Sequence, residues 1–215
     1  MDVIKAYRPS TKSLSSGQVL PEPYPYDKGR LIVQEMTELM ALDLVRKKLV
    51  TKQMVLYIGY DKASLDGERG KEYTGPVSED YYGRKVPKHA NGTGNIDHYT
   101  SSGKLLTEAV LGIYDRVVDP NLLIRRVSIA AANLLPEDEA SATEVEQLSI
   151  FTDYEAVDKQ KEAEKAAEEK ERRLQQAALR IQEKYGKNAM VKGMNFLDGA
   201  RTIERNGTIG GHKAE

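Results

Sequence analysis

The chain has 215 residues, net charge -1, 40% hydrophobic and 30% charged residues. These values suit one core of ordinary size with appendages and give no whole-chain signature of a nucleic-acid binder. There is no Cys, which excludes a disulfide framework and a thiolate metal site. No apolar run reaches the roughly 18 residues of a membrane helix, and the N-terminus lacks a signal-peptide pattern, so a cytoplasmic location is expected. With no Trp and 2 Phe, aromatic burial falls mainly to the 12 Tyr. Acidic residues concentrate after Pro136, so a basic face before it is masked in the total.

Residues 1–11 read as an extended linker. Lys12 to Leu20 alternates small polar and apolar residues and predicts a first strand, ended by the stretch from Pro21 to Pro25. Asp27 to Lys48 predicts a helix: Ile32, Met36, Leu39, Met40, Leu44 and Val45 form one buried stripe. Gln53 to Tyr60 reads as a Val/Ile/Tyr strand. Asp61 to Gly94 is polar and Gly-rich and reads as a long excursion around a hairpin, with Asn91-Gly92-Thr93-Gly94 as a turn. Asn95 to Thr100 is a short strand. Ser101 or Ser102 caps a helix to about Val118, with the stripe Leu105, Leu106, Ala109, Val110, Ile113 and Tyr114. After Asp119-Pro120-Asn121, Leu122 to Leu134 is the last strand.

The order strand, helix, strand, strand, helix, strand predicts an α+β domain over 12–136. Its four-stranded, mainly antiparallel sheet carries both helices on one face and leaves the other open. Residues 137–152 read as a flexible acidic linker containing one apolar island, Gln147-Leu148-Ser149-Ile150-Phe151. A capping box at Thr152-Asp153-Tyr154-Glu155 opens a long charged helix stopped by Gly186. That helix reads as a solvated spacer; the other reading is that the short apolar stripe near its end, Leu174, Ala178, Ile181 and Tyr185, docks on another part of the protein. Residues 187–215 form a Gly-rich tail.

In the last strand, alternation places Val127, Ile129 and Ala131 toward the helices and Arg126, Ser128 and Ala130 on the open face. Arg125 shares the buried parity and reaches the rim from the strand start. Lys12, Ser13, Ser15 and Ser16 add a charge and hydroxyl donors from the first strand, and Arg84 and Lys85 lie in a basic cluster with Lys88 and His89. Arg with small neighbours fits a phosphate backbone; an ordinary solvated face fits the same residues. Asp61, Asp66, Glu68, Glu79 and Asp80 read as loop-solvating carboxylates. His89, His98 and His212 lack metal-ligand spacing, and no Lys-Ser/Thr follows the Asn91–Gly94 segment as a phosphate loop requires.

Thr11-Lys12-Ser13-Leu14-Ser15-Ser16 and Ile124-Arg125-Arg126-Val127-Ser128-Ile129 resemble the first and last strands of the little finger domain of Y-family translesion DNA polymerases. The tail segments Arg180 to Ala189, Thr202 to Gly207 and Ile209 to Lys213 resemble the UmuC-type (ImpB/MucB/SamB) members of Gram-positive bacteria. A basic residue common near Ser16 is absent. The resemblance implies a non-catalytic, DNA-binding C-terminal part of an error-prone polymerase of DNA repair and the SOS response. Its partners would be duplex primer–template DNA and the palm, fingers and thumb of the same polymerase, whose motifs would lie before Met1. No cofactor is expected in this chain, magnesium belonging to the palm. Gln147-Leu148-Ser149-Ile150-Phe151 resembles the bacterial sliding-clamp peptide, in which three apolar side chains enter a groove while Gln147 supplies directional hydrogen bonds; packing of the island back on the domain is the other reading. Two rival functions stay open: an adaptor that binds the clamp with little DNA affinity, and a small enzyme using the 61–94 loop as a lid.

Overall fold

A computed structural model describes residues 13–143, 154–209 and 212–213. Four long strands carry the sheet: β1 (Leu14–Tyr24), β2 (Leu49–Tyr60), β5 (Ala90–Thr100) and β6 (Ile124–Ala132). Between β2 and β5 lie a short helix α2 (Gly67–Glu72) and a hairpin of β3 (Val77–Glu79) and β4 (Lys85–Pro87). The spatial order is β1-β6-β2-β5, every neighbour antiparallel, with two-residue β7 (Leu135–Pro136) beside the start of β2. Helices α1 (Tyr26–Lys47) and α3 (Gly103–Val117) pack on one face. The predicted fold class is therefore the observed one.

Alternation drives this layering. Met54, Leu56 and Ile58 of β2 are fully buried while Gln53, Val55 and Tyr57 between them are half-exposed. Burying each such side chain contributes roughly 1.5–3 kcal/mol. They meet Ile32, Met36 and Met40 from α1 and Leu106, Val110 and Ile113 from α3. Tyr24, Tyr60 and Tyr114 supply the buried aromatics. The Tyr114 hydroxyl donates to the Tyr26 carbonyl at 2.7 Å, tying α3 to the start of α1. Ser102 caps α3, its hydroxyl accepting from the Leu105 N–H at 3.2 Å.

Several expectations are corrected. β1 runs through Pro21 and Pro23 to Tyr24 instead of ending at Pro21. Among the described residues it is an edge strand, bonded only to β6, and its register shifts between Val19 and Tyr24, so missing N–H groups are tolerated there. β2 begins at Leu49, four residues before the expected start, and β6 is shorter than predicted at both ends. Asn91-Gly92-Thr93-Gly94 is not a turn but part of β5, paired in that order with Tyr57, Leu56, Val55 and Met54 of β2. The reason is packing. A Cβ on Gly92 would stand 2.5 Å from Ile113 Cγ2, and one on Gly94 would stand 3.1 Å from Ile113 and 3.2 Å from the Ala109 carbonyl oxygen. These glycines let α3 settle directly on the strand.

The predicted linker after Pro136 begins as a helix, α4 (Glu137–Thr143), with Ala140 buried. The long helix α5 (Tyr154–Tyr185) is present, and one side of its middle is docked on the domain, while most of its other described side chains, Leu174 and Tyr185 among them, are exposed. Glu168 accepts hydrogen bonds from Thr100 (2.5 Å) and meets His98 Nε2 at 2.7 Å. Glu171 takes the Ser102 hydroxyl at 2.5 Å and the Lys104 N–H at 3.1 Å at the head of α3. Arg172 pairs with Glu137 at 2.8 Å. Burial pushes the Glu168 carboxyl up, but the bonds from His98 and Thr100 outweigh it and hold it below the usual range.

Gly186 ends α5 at φ 95°, a left-handed value that favours glycine. The chain then returns to α1 over residues 192–202, followed by helix α6 (Thr202–Asn206) and the paired short strands β8 (Thr208–Ile209) and β9 (His212–Lys213). Glu35 of α1, only 2% exposed, is the anchor. Its carboxylate accepts from Asn195 Nδ2 (2.7 Å), the Arg201 N–H (2.7 Å) and the Thr202 N–H (3.2 Å). Lys192–Glu38 (2.5 Å) and Lys28–Asp198 (2.8 Å) flank it.

Candidate nucleic-acid interface

The open face is read from strand register, because paired residues in an antiparallel sheet project to the same side. One row runs Ser15, Ala130, Val55, Thr93; the next runs Gly17, Ser128, Tyr57, Asn91; a third holds Val19, Arg126 and Gly59. Beyond the first row lie Ala132, Gln53 and Asn95, the last two joined at 3.0 Å. These rows are thus made mainly of small, hydroxyl and amide side chains, with two valines (Val19, 60% exposed beside Arg126, and Val55), one aromatic and one cation.

Two glycines keep it shallow around that cation. A Cβ at Gly59 would stand 3.1 Å from the Arg126 Cβ, and one at Gly17 would stand 2.8 Å from Ser128 Oγ. The absence of those side chains leaves room for a close-lying polymer.

Arg125 departs from the expected parity. Ile124 pairs with Tyr60 and Arg126 with Gly59, leaving Arg125 as an extra residue on β6, a β-bulge. Ile124 and Val127 are both fully buried although three positions apart, and both arginines between them reach solvent. Arg125 Nε stands 3.7 Å from Asp61 Oδ2. Asp61 also accepts the Ala63 N–H at 2.9 Å, so this carboxylate caps a turn and holds an arginine in addition to solvating the loop. Among the described residues no hydrogen bond or ion pair engages the Arg126 guanidinium.

Other predicted residues fall elsewhere. Ser16 pairs with buried Ile129 and lies on the helix side, so it does not join the open face; Ser13 is exposed and shares the parity of Ser15. Lys12 and the island Gln147 to Phe151 lie outside the described residues. Arg84 braces the hairpin instead of projecting freely: its guanidinium binds Asp80 at 2.6–2.7 Å. That bond raises Arg84 and holds Asp80 below its usual range. Lys85 is exposed on β4, opposite Glu79.

Sequence reasoning missed Tyr57, whose ring stacks on His89 (centroids 4.7 Å, 28° between planes), and the row Asn91, Thr93, Asn95. Strict alternation from Met54 to Ile58 signalled Tyr57; the Gly-Thr-Gly run concealed the rest. Among the described residues no three His, Asp or Glu side chains converge to hold a metal ion, and no helix is long and apolar enough to cross a membrane.

An antiparallel sheet backed by two helices, with a shallow polar face and two arginines released by a bulge, defines the class: an α+β domain with an open sheet. The sequence matches the impB/mucB/samB family C-terminal domain over residues 11–150, and the chain belongs to that family. No curated protein matches the sequence. A solved structure titled as a post-insertion binary complex of Dbh DNA polymerase is similar at 9% identity and a TM-score of 0.36, covering 62% of this chain and 33% of that one. The chain thus spans about a third of that polymerase's length.

Proposed function

We propose that this chain is the non-catalytic C-terminal part of a translesion DNA polymerase, and that its open sheet face grips the phosphates of duplex primer–template DNA. The observation that carries the reading is the bulge at Arg125, which brings Arg125 and Arg126 out together beside a face kept shallow by Gly17 and Gly59. Family membership supplies the polymerase context. Neutral hydroxyl and amide neighbours position a backbone without reading bases, which suits a grip tolerant of sequence and of damage. Nucleotidyl transfer and its magnesium belong to the catalytic palm, with the fingers and thumb, of the same polymerase. Gln147 to Phe151 docks on the bacterial sliding clamp, and a clamp tether raises the effective concentration of the grip at the primer end. The clamp reading is supported by the residue pattern alone.

The test is fluorescence-anisotropy binding to duplex primer–template DNA across a salt series. The parent is expected to weaken as salt rises, and Arg125→Ala/Arg126→Ala to lose affinity and about 1.8 from the log–log salt slope, the share of two phosphate contacts. A parent that binds no DNA at low salt while still binding the clamp would move the function to a clamp-docking adaptor.

A further inference from the structure

The β3–β4 hairpin ends in two tyrosines that nothing among the described residues covers. Tyr81 is 96% exposed and Tyr82 76%. Their rings meet edge to face at 5.3 Å, and the Arg84 guanidinium lies 5.1 Å from the Tyr82 centroid. The turn that holds them is closely braced. Asp80 Oδ1 accepts the Tyr82 and Arg84 N–H groups, each at 2.9 Å. The Asp80 N–H reaches the Arg84 carbonyl at 2.9 Å, and the Gly83 N–H reaches the Asp80 carbonyl at 3.0 Å. Gly83 takes φ 73°, where a side chain is disfavoured. A braced tip loses little freedom when a ligand stacks on it.

Its place in the fold is set by the chain. The hairpin links the end of β2 to the start of β5. That is the end of the sheet where β6 enters with Arg125 and Arg126, since Tyr60 pairs with Ile124 and Gly59 with Arg126. Charge at the tip is nearly balanced: Arg84 is bound to Asp80, and Lys85 stands opposite Glu79. The tip therefore offers phosphate little, and what it presents is ring surface. Ring surface fits the faces of unstacked bases, and bases inside a duplex have no free faces.

We infer that Tyr81 and Tyr82 form a stacking platform for unpaired bases of single-stranded DNA next to the duplex held by the open sheet. This inference rests on the sheet reading above: the sheet holds backbone, and the hairpin holds the strand where pairing ends. Tyr81→Ala/Tyr82→Ala changes only exposed side chains and leaves Asp80, Gly83 and Arg84 in place.

The experiment compares the full chain on a blunt duplex and on the same duplex with a single-stranded template overhang, by anisotropy at low salt. Thermal unfolding checks that each variant is folded. The parent is expected to prefer the overhang substrate. The double alanine variant should lose about tenfold or more on that substrate, the worth of one to two stacked bases, and nothing on the blunt duplex. Tyr81→Phe/Tyr82→Phe should keep the preference, because stacking needs the ring and not the hydroxyl. An alanine variant that binds both substrates like the parent, or loses equally on both, overturns the platform. Arg125→Ala/Arg126→Ala run in parallel separates the two ideas. If that variant weakens both substrates while the tyrosine variant changes neither, the platform fails and the sheet grip stands. If the parent binds neither substrate, both fall.

Discussion

The two polar surfaces of this molecule use charge in opposite ways. On the helix side, particular charges are consumed internally: Glu168, Glu171 and Arg172 hold α5 down, and Glu35 of α1 holds the returning chain. On the open face of the sheet Arg126 is engaged by no described neighbour, and the residues around it are small or neutral. A charge that is already hydrogen-bonded within the fold contributes to stability and has little left for a ligand. A charge without a partner contributes little to the fold and is available for one. Counting charged residues hides this difference; partners reveal it.

The comparison breaks most easily at Glu35. Removing a buried carboxylate that satisfies three donors should cost roughly 3 kcal/mol, because those donors either stay unpaired or the tail lifts off. Glu35→Ala is expected to lower the urea midpoint and open residues 190–202 to limited proteolysis. A variant as protease-resistant as the parent would show that the tail is held by other contacts.

Gly92→Val tests the sheet–helix contact beneath the open face. Its side chain would run into Ile113, and overpacking of this kind costs about 1–3 kcal/mol. Thermal unfolding should show the loss, whereas Thr93→Val, on the open face of the same strand, should leave stability within about 0.5 kcal/mol.

Glu168 gives a smaller effect with a pH signature. Its folded value lies below the ordinary value of 4.5, so its contribution is complete above the ordinary value and is lost as pH falls through the depressed one. Glu168→Gln should cost about 1–2 kcal/mol at pH 7, less than the roughly 1.5–3 kcal/mol of a hydrogen bond to a charged group because the amide oxygen still accepts, and should flatten the fall in stability below about pH 4.5. An unchanged acid profile would place the acid sensitivity in another carboxylate.

The smallest stability effect sharpens the comparison from the other side. Arg126→Ala should leave unfolding within about 0.5 kcal/mol of the parent, since nothing in the described fold uses the guanidinium. A large loss of stability would mean that Arg126 belongs to the fold and not to a ligand.

Much of the scaffold was legible because amphipathic period is a local property. The stripe Ile32, Met36, Met40 and the alternation Val127, Ile129, Ala131 follow from burying one face of each element, and neither needs a partner to be named. The parts that were misread depend on what lies across the gap. Gly92 and Gly94 carry the composition of a turn, but Ile113 of α3, distant in sequence, makes that stretch a strand. The charged α5 carries the composition of a spacer, yet Thr100, Ser102 and His98 receive it. Of the candidate interface, Arg126, Ser128 and Ala130 were placed by alternation alone; Ser16 was misplaced because the register of an edge strand is fixed by its neighbour.

By itself the sequence determined the fold class, the two core helices, the last strand with its arginines and the family, because periodicity, capping and residue order are written locally. Only the tertiary structure decided that Arg125 escapes the core at a bulge, that Glu35 is buried beneath the tail and that the Arg126 guanidinium has no partner among the described residues. Each of these depends on which residue lies opposite, and long-range pairing is a property of the folded chain, not of any window along it.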